Sequence, residues 1–177
     1  MQQASIRYRR ILFVCHANTS RSIIAEALLR RMLTTQAPSE TVHIYSGGIA
    51  AYARDGALAS LDARLVLRDE GIELTAGTSS TDLKNHPELV EEADLILAMT
   101  EQQLEMLRSV YPRVESKPLY TLRSFAGHQG DIDDPVGKSE AVFAACLAEI
   151  KQCLERAMPR FLLDTNRDDT DLPESTR

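Results

Sequence analysis

Short apolar runs, separated by longer segments of helical period, constrain this chain more than any other feature. Ile11-Leu12-Phe13-Val14, Val42 to Tyr45, Leu95 to Ala98 and a shorter run around Leu119 and Tyr120 have the length and apolar continuity of strands buried on both faces. Between them apolar residues recur at three- and four-residue spacing: Ala25, Leu28, Leu29 and Met32, then Leu58, Leu61 and Leu65, then Leu104, Leu107 and Tyr111. A last helix carries Phe143, Leu147, Ile150 and Leu154, with Ser139 at its start as an N-cap. Thr100-Glu101-Gln102-Gln103 has capping-box form, and Gly71 is placed to end the second helix. Alternation of strand and helix is the α/β signature. The expected architecture is therefore a single α/β domain, a four-stranded parallel sheet with helices on both faces.

A chain of 177 residues buries a substantial core as one domain without disulfides or metals. A formal net charge of −6 argues against nucleic acid as a partner, because phosphate backbones need a clustered basic face. Arg7, Arg9 and Arg10 are the one basic cluster and read as a solvated strand entry. No apolar stretch approaches the length of a bilayer span, and the first residues lack the pattern of a signal peptide. The expectation is a cytoplasmic protein with no membrane partner. Three cysteines, an odd number, fit reduced thiols better than a disulfide framework. Cys146 and Cys153 lie seven apart in the last helix and are expected to share a packed face. Residues 1–8 read as an N-terminal extension of a domain spanning 9–163. The tail 164–177, acidic and with Leu172 as its one apolar residue, is expected to be disordered.

In flavodoxin-like or Rossmann-like sheets ligands sit beyond the carboxyl ends of the strands, where loops feed helix N-termini. Cys15-His16-Ala17-Asn18-Thr19-Ser20-Arg21-Ser22 falls there, directly after the first apolar run. A tight loop at that place turns successive backbone N–H groups inward, and the helix start adds partial positive charge, so it is an anion cradle. A thiol at its rim feels that field, which favours the thiolate. Arg21 supplies a fork of donors matched to two oxygens of a phosphate-like group. Ser22 can donate its hydroxyl to the sulfur. Together these parts describe a nucleophile aimed at a bound oxyanion.

Cys15 to Ser22 followed by Ile23-Ile24-Ala25-Glu26 resembles the phosphate loop of the low-molecular-weight protein tyrosine phosphatase family, which also includes protein arginine phosphatases and thioredoxin-linked arsenate reductases. The resemblance continues through Ser46-Gly47-Gly48, Gly71-Ile72, Asp94 to Thr100 and Asp133-Asp134-Pro135, in order, across about residues 9 to 158. It implies that Cys15 is the nucleophile, that Arg21 is the phosphate clamp, and that His16 to Ser22 line the bound phosphate. It also implies that Asn18 and Ser46 brace the loop and that Asp134 is the general acid and then the base. The residues suit those roles. Pro135 biases Asp134 towards an extended backbone, and a carboxyl beside a bound dianion keeps its proton more readily, as a general acid must. The implied reaction passes through phosphocysteine and needs no metal or cofactor. His16, His43, His86 and His128 are scattered without metal-ligand spacing.

The expected partner is a phosphorylated protein or peptide, and Thr19 leans the substrate towards phosphoarginine. Tyrosine-specific members usually carry an aliphatic residue at that place, which walls a phenol ring, whereas a hydroxyl can serve a guanidinium or a water. Val136 stands where an aromatic residue is usual in both groups, and Tyr52 could supply an alternative wall. The alternative substrate is phosphotyrosine. An arsenate reductase would need further redox cysteines, and none lies between Cys15 and Cys146. A phosphoprotein-binding module would need neither the cysteine nor the acid, and a small-molecule phosphatase would use the same loop. Two departures stand out. Ser20 occupies the place of a second cysteine often found before the arginine, so an oxidised Cys15 lacks a resolving neighbour in its loop. Ala76-Gly77 lies where a loop-supporting histidine is often found.

Overall fold

The computed structural model describes residues 5–38 and 40–163, and the tail expected to be disordered lies outside them. In chain order the elements are β1 (Ser5–Ile6), β2 (Arg10–Cys15), α1 (Arg21–Gln36), β3 (His43–Gly48), α2 (Leu61–Asp69), α3 (Pro87–Glu92) and β4 (Leu95–Ala98). They continue with α4 (Glu101–Val110), a 3-10 helix (Pro112–Ser116), β5 (Leu119–Thr121), α5 (Leu122–Phe125), α6 (Glu140–Phe161) and β6 (Leu162–Leu163).

Four strands form one parallel sheet in the order β3-β2-β4-β5, with Ile11 opposite Ile44 on one side and Leu95 on the other. Side chains alternate across a strand, so each strand feeds two cores. Ile11, Phe13 and Cys15 pack with Ile24, Leu28 and the buried stripe of α6, including Phe143, Leu147, Ile150 and Leu154. Leu12 and Val14 pack on the other face with Leu83, Val90, Leu104 and Leu107. The five β2 side chains from Ile11 to Cys15 are buried, which explains why the run carries no polar alternation. The four-stranded parallel sheet with helices on both faces is thus as expected from the sequence.

Two caps are also as expected. Thr100 accepts from the Gln103 N–H while the Gln103 side chain accepts from the Thr100 N–H, and Gly71 ends α2 at φ 76°. Ser139 is the N-cap of α6, although its side chain makes no capping bond. Cys146 and Cys153 are both buried on α6.

The apolar face expected for α2 needs correction. Leu58 and Leu61 are 66 % and 68 % exposed, and Ala63, Val66 and Leu67 are the buried residues. Ser60 caps the helix by accepting from the Ala63 N–H, so Leu58 precedes the helix and Leu61 opens it on the solvent side. The helix phase is set by the cap, not by the first leucine of the series. Three short helical elements, α3, α5 and the 3-10 turn, span too few residues to display a period. Within the stretch read as an N-terminal extension, β1 pairs antiparallel with β6, Ser5 opposite Leu163 and Ile6 opposite Leu162, and Ile6 is buried.

Candidate active site

Cys15 ends β2 and Arg21 opens α1, so the loop between them leaves the middle of the sheet at its carboxyl edge. The segment after β3 braces it. Ile49 N–H donates to the Cys15 carbonyl (3.1 Å), Ala50 N–H to that of His16 (3.0 Å) and Ser60 N–H to that of Thr19 (2.9 Å). In a planar trans peptide the N–H that follows points opposite to its carbonyl. The amides of His16, Ala17 and Ser20 are thereby turned away from those bracing segments, which is how the loop becomes a cradle. Gly48 permits the close approach. A Cβ there would lie 2.7 Å from the His16 carbonyl oxygen and 2.9 Å from the Ala17 carbonyl carbon.

Asn18 is fully buried in the left-handed region, at φ 57°. Its Oδ1 accepts the Thr81 N–H (2.8 Å), which fixes the amide orientation, and its Nδ2 donates to Ser22 Oγ (2.8 Å) and Ser46 Oγ (2.9 Å). Each serine oxygen already accepts one hydrogen bond, so each has its own hydrogen to give. Ser46 gives its hydrogen to Glu26 Oε2 (2.6 Å), and Arg30 holds the other Glu26 oxygen at 2.9 Å. Ser22 faces Cys15 Sγ at 2.9 Å, and the Asn18 N–H reaches the same sulfur at 3.2 Å. Two donors therefore converge on the sulfur, an arrangement suited to negative charge there.

The Arg21 side chain is only 3 % exposed, yet its guanidinium donates to the Ile132 carbonyl (2.8 Å) and pairs with Asp134 Oδ2 (3.0 Å). The other Asp134 oxygen accepts the Val136 N–H (3.1 Å), so Pro135 sits inside a turn that presents the carboxyl to Arg21. Burial, and then the Arg21 charge, hold the His16 imidazole below its ordinary value. Cys146 lies beneath the same turn, its sulfur 3.9 Å from the Asp133 carbonyl. Burial pushes its thiol up to about 12 against the opposing effect of Arg21. Among the described residues, no group of three or more His, Cys, Asp or Glu side chains could hold a metal ion, and no helix is long and apolar enough to cross a membrane.

The structure thus joins Cys15, Asn18, Ser22 and Ser46 in one hydrogen-bonded set and pairs Arg21, the residue before Ser22, with Asp134. Thr19 is half-buried, and the Ser20 hydroxyl lies 3.1 Å from that of Ser60. Tyr52 and Val136 are 70 % and 56 % exposed. Sequence reasoning missed Glu26 and Thr81 as partners of the hydrogen-bonded set. Glu26 was visible within the loop motif, but its contact with Ser46 bridges 20 residues and two elements. Ser46, Glu26, Gly77 and Thr78 line a cleft of about 310 Å³, and the Glu26 carboxylate is the Ser46 acceptor.

The family model described as low molecular weight phosphotyrosine protein phosphatase matches residues 10–168. The chain belongs to this family. It is a cysteine-dependent protein phosphatase of the low-molecular-weight type. A protein-arginine-phosphatase of Geobacillus stearothermophilus is 38 % identical over 148 residues, 83 % of this chain and 92 % of the relative. A low molecular weight protein-tyrosine-phosphatase, PtpB of Staphylococcus haemolyticus, is 34 % identical over 130 residues, 73 % and 83 % of the two chains. Among solved structures, a cysteine-to-serine mutant of the YwlE arginine phosphatase with a phosphorylated active site serine superposes with a TM-score of 0.76 at 31 % identity, covering 85 % of this chain and 93 % of that one. The structural neighbours share this chain's single-domain α/β fold.

Proposed function

We propose that this phosphatase acts in the cytoplasm on phosphoarginine in proteins or peptides, with Cys15 as nucleophile, Arg21 as phosphate clamp and Asp134 as acid and base. The observation that carries the mechanism is the pair of donors on Cys15 Sγ, from Ser22 and from Asn18 N–H, beside the Arg21–Asp134 pair. In the first step the Cys15 thiolate attacks phosphorus in line. The S–P bond forms as the P–N bond to the substrate breaks, and the Asp134 proton passes to the leaving guanidino nitrogen. Arg21 and the amides of His16, Ala17, Thr19, Ser20 and Ser22 hold the equatorial oxygens as charge develops there. In the second step Asp134 takes a proton from water, the water oxygen attacks phosphorus, the S–P bond breaks, and inorganic phosphate leaves with the thiolate restored. Asn18 and Ser46 keep the loop in shape through both steps.

Two observations support phosphoarginine as the substrate. Thr19 places a hydroxyl where an aliphatic wall would suit a phenol ring. Val136, which stands where both groups usually carry an aromatic residue, weakens a phenol-stacking reading without favouring phosphoarginine. Protein-arginine-phosphatases of Geobacillus stearothermophilus and Bacillus subtilis are 38 % and 32 % identical to the chain. Tyr52, 70 % exposed on the segment that braces His16, favours phosphotyrosine as the second reading, because its ring could stack on a phenol.

The deciding experiment compares kcat/KM on phosphoarginine and phosphotyrosine versions of one peptide. Wild type should favour phosphoarginine, and Thr19→Ile should move the ratio towards phosphotyrosine by roughly tenfold or more. A preference for phosphotyrosine in the wild type would overturn the substrate assignment. Cys15→Ser should abolish turnover on both peptides, and retained activity would remove Cys15 as nucleophile.

A further inference from the structure

Tyr52, Leu61 and Leu58 are the most exposed large apolar side chains among the described residues, at 70 %, 68 % and 66 %. All three stand on one segment, which is tied to the catalytic loop near both its ends. Ala50 N–H holds the His16 carbonyl, and Ser60 N–H holds that of Thr19. Single exposed leucines are ordinary, but three such side chains on one ten-residue segment tied to the catalytic loop are a reason to look for a contact surface there. The segment is braced. Leu58 bridges to Ser79, Ala57 and Ser80 exchange backbone and hydroxyl hydrogen bonds, and Ala59 is buried. Leu58 and Leu61 are therefore held in water on a segment bonded to the catalytic loop, with the core already filled by Ala63, Val66 and Leu67.

We infer that Leu58 and Leu61 form an apolar shoulder that holds an aliphatic or aromatic side chain of the substrate, within two positions of its phosphorylated residue. The inference rests on the protein phosphatase reading above and adds a preference for flanking sequence. Its warrant is continuity. A phosphorylated side chain seated in the loop brings its own neighbours to the rim, and in an extended peptide the next residue on the same side stands about 7 Å away. The loop reads phosphate and carries no information about what surrounds it. Discrimination between phosphorylated segments must come from such rim residues. Leu58 and Leu61 lie two positions before and one after Ser60, whose N–H is bonded to the Thr19 carbonyl and whose hydroxyl lies 3.1 Å from that of Ser20, so chain connectivity ties them to the loop that carries Thr19.

The test uses two phosphopeptides that differ in the flanking residues, leucine in one and serine in the other, with the full chain. Wild type should turn over the leucine peptide with kcat/KM about tenfold higher. Leu58→Ser with Leu61→Ser should erase that ratio, while hydrolysis of para-nitrophenyl phosphate, which has no flanking residues, should change far less. Both positions are about two-thirds exposed, so the substitutions remove no core contact. Equal rates on the two peptides in the wild type, or a ratio that survives in the double variant, would overturn the inference alone. Turnover of para-nitrophenyl phosphate with neither peptide accepted would overturn it together with the protein substrate. Self-association of the wild type that the double variant abolishes would assign the segment to a second copy of the chain and overturn it as well.

Discussion

Asn18 is held at φ 57° with its amide bonded on three sides, so it cannot turn over without breaking the contacts to Thr81, Ser22 and Ser46 together. A non-glycine residue in the left-handed region persists only where its surroundings hold it. Ser46 can accept from Asn18 while its own hydrogen goes elsewhere, and Glu26 takes that hydrogen. Glu26→Ala would free the Ser46 hydroxyl to turn, loosening Asn18 and the donors on Cys15. We expect kcat on a small aryl phosphate to fall about tenfold with KM little changed, the loss of roughly one hydrogen bond's net worth. Glu26→Gln should restore part of it, and a wild-type kcat in Glu26→Ala would dismiss the connection. Cys15, Asn18, Arg21 and Ser22 were legible in the sequence because they lie within one loop. Glu26 and Thr81 were not, because their contacts are made by the meeting of α1, β3 and a distant turn. No local pattern records that meeting.

Strands β2 and β4 and the long helices α1 and α6 declared themselves by unbroken apolar runs and by period, since burial on two faces or one stripe leaves that mark. The phase of α2 did not, because Ser60 rather than Leu58 decides where the helix begins. The short helical elements α3, α5 and the 3-10 turn, and the two-residue strands β1 and β6, carry too little pattern to be read at all. The loop between β2 and α1 also carries a pH dependence. The folded His16 lies below its ordinary value of 6.5, so the fold prefers the uncharged ring. The stability this contributes is present above about pH 6.5 and is lost as pH falls through the lowered folded value, where protonation puts a second cation near Arg21. Urea midpoints of wild type and His16→Asn at about pH 7.5 and about pH 5.5 measure it. The wild type should lose more stability on acidification than the variant, and identical losses would show that His16 does not contribute.

Both ends of the described chain close on one another. β1 and β6 pair, Arg7 N–H donates to the Phe161 carbonyl, and Ile6 and Phe161 share the core beneath α5 and α6. Phe125 joins them there, its ring 5.1 Å from that of Phe161 and 6.3 Å from that of Tyr8. Ile6→Ala should therefore cost about 2–4 kcal/mol in urea unfolding, far from the reacting atoms and with little change in kcat. A loss below about 0.5 kcal/mol, the range of ordinary surface substitutions, would mean that the ribbon is peripheral to the fold. The sheet order has a consequence of another kind. β2 is flanked on both edges, by β3 and β4, and its side chains fill both cores. The amides of such a strand exchange with solvent chiefly through global opening. The sulfur at its end is thus anchored to the slowest-exchanging part of the molecule, and partial unfolding at the periphery leaves the nucleophile where it was.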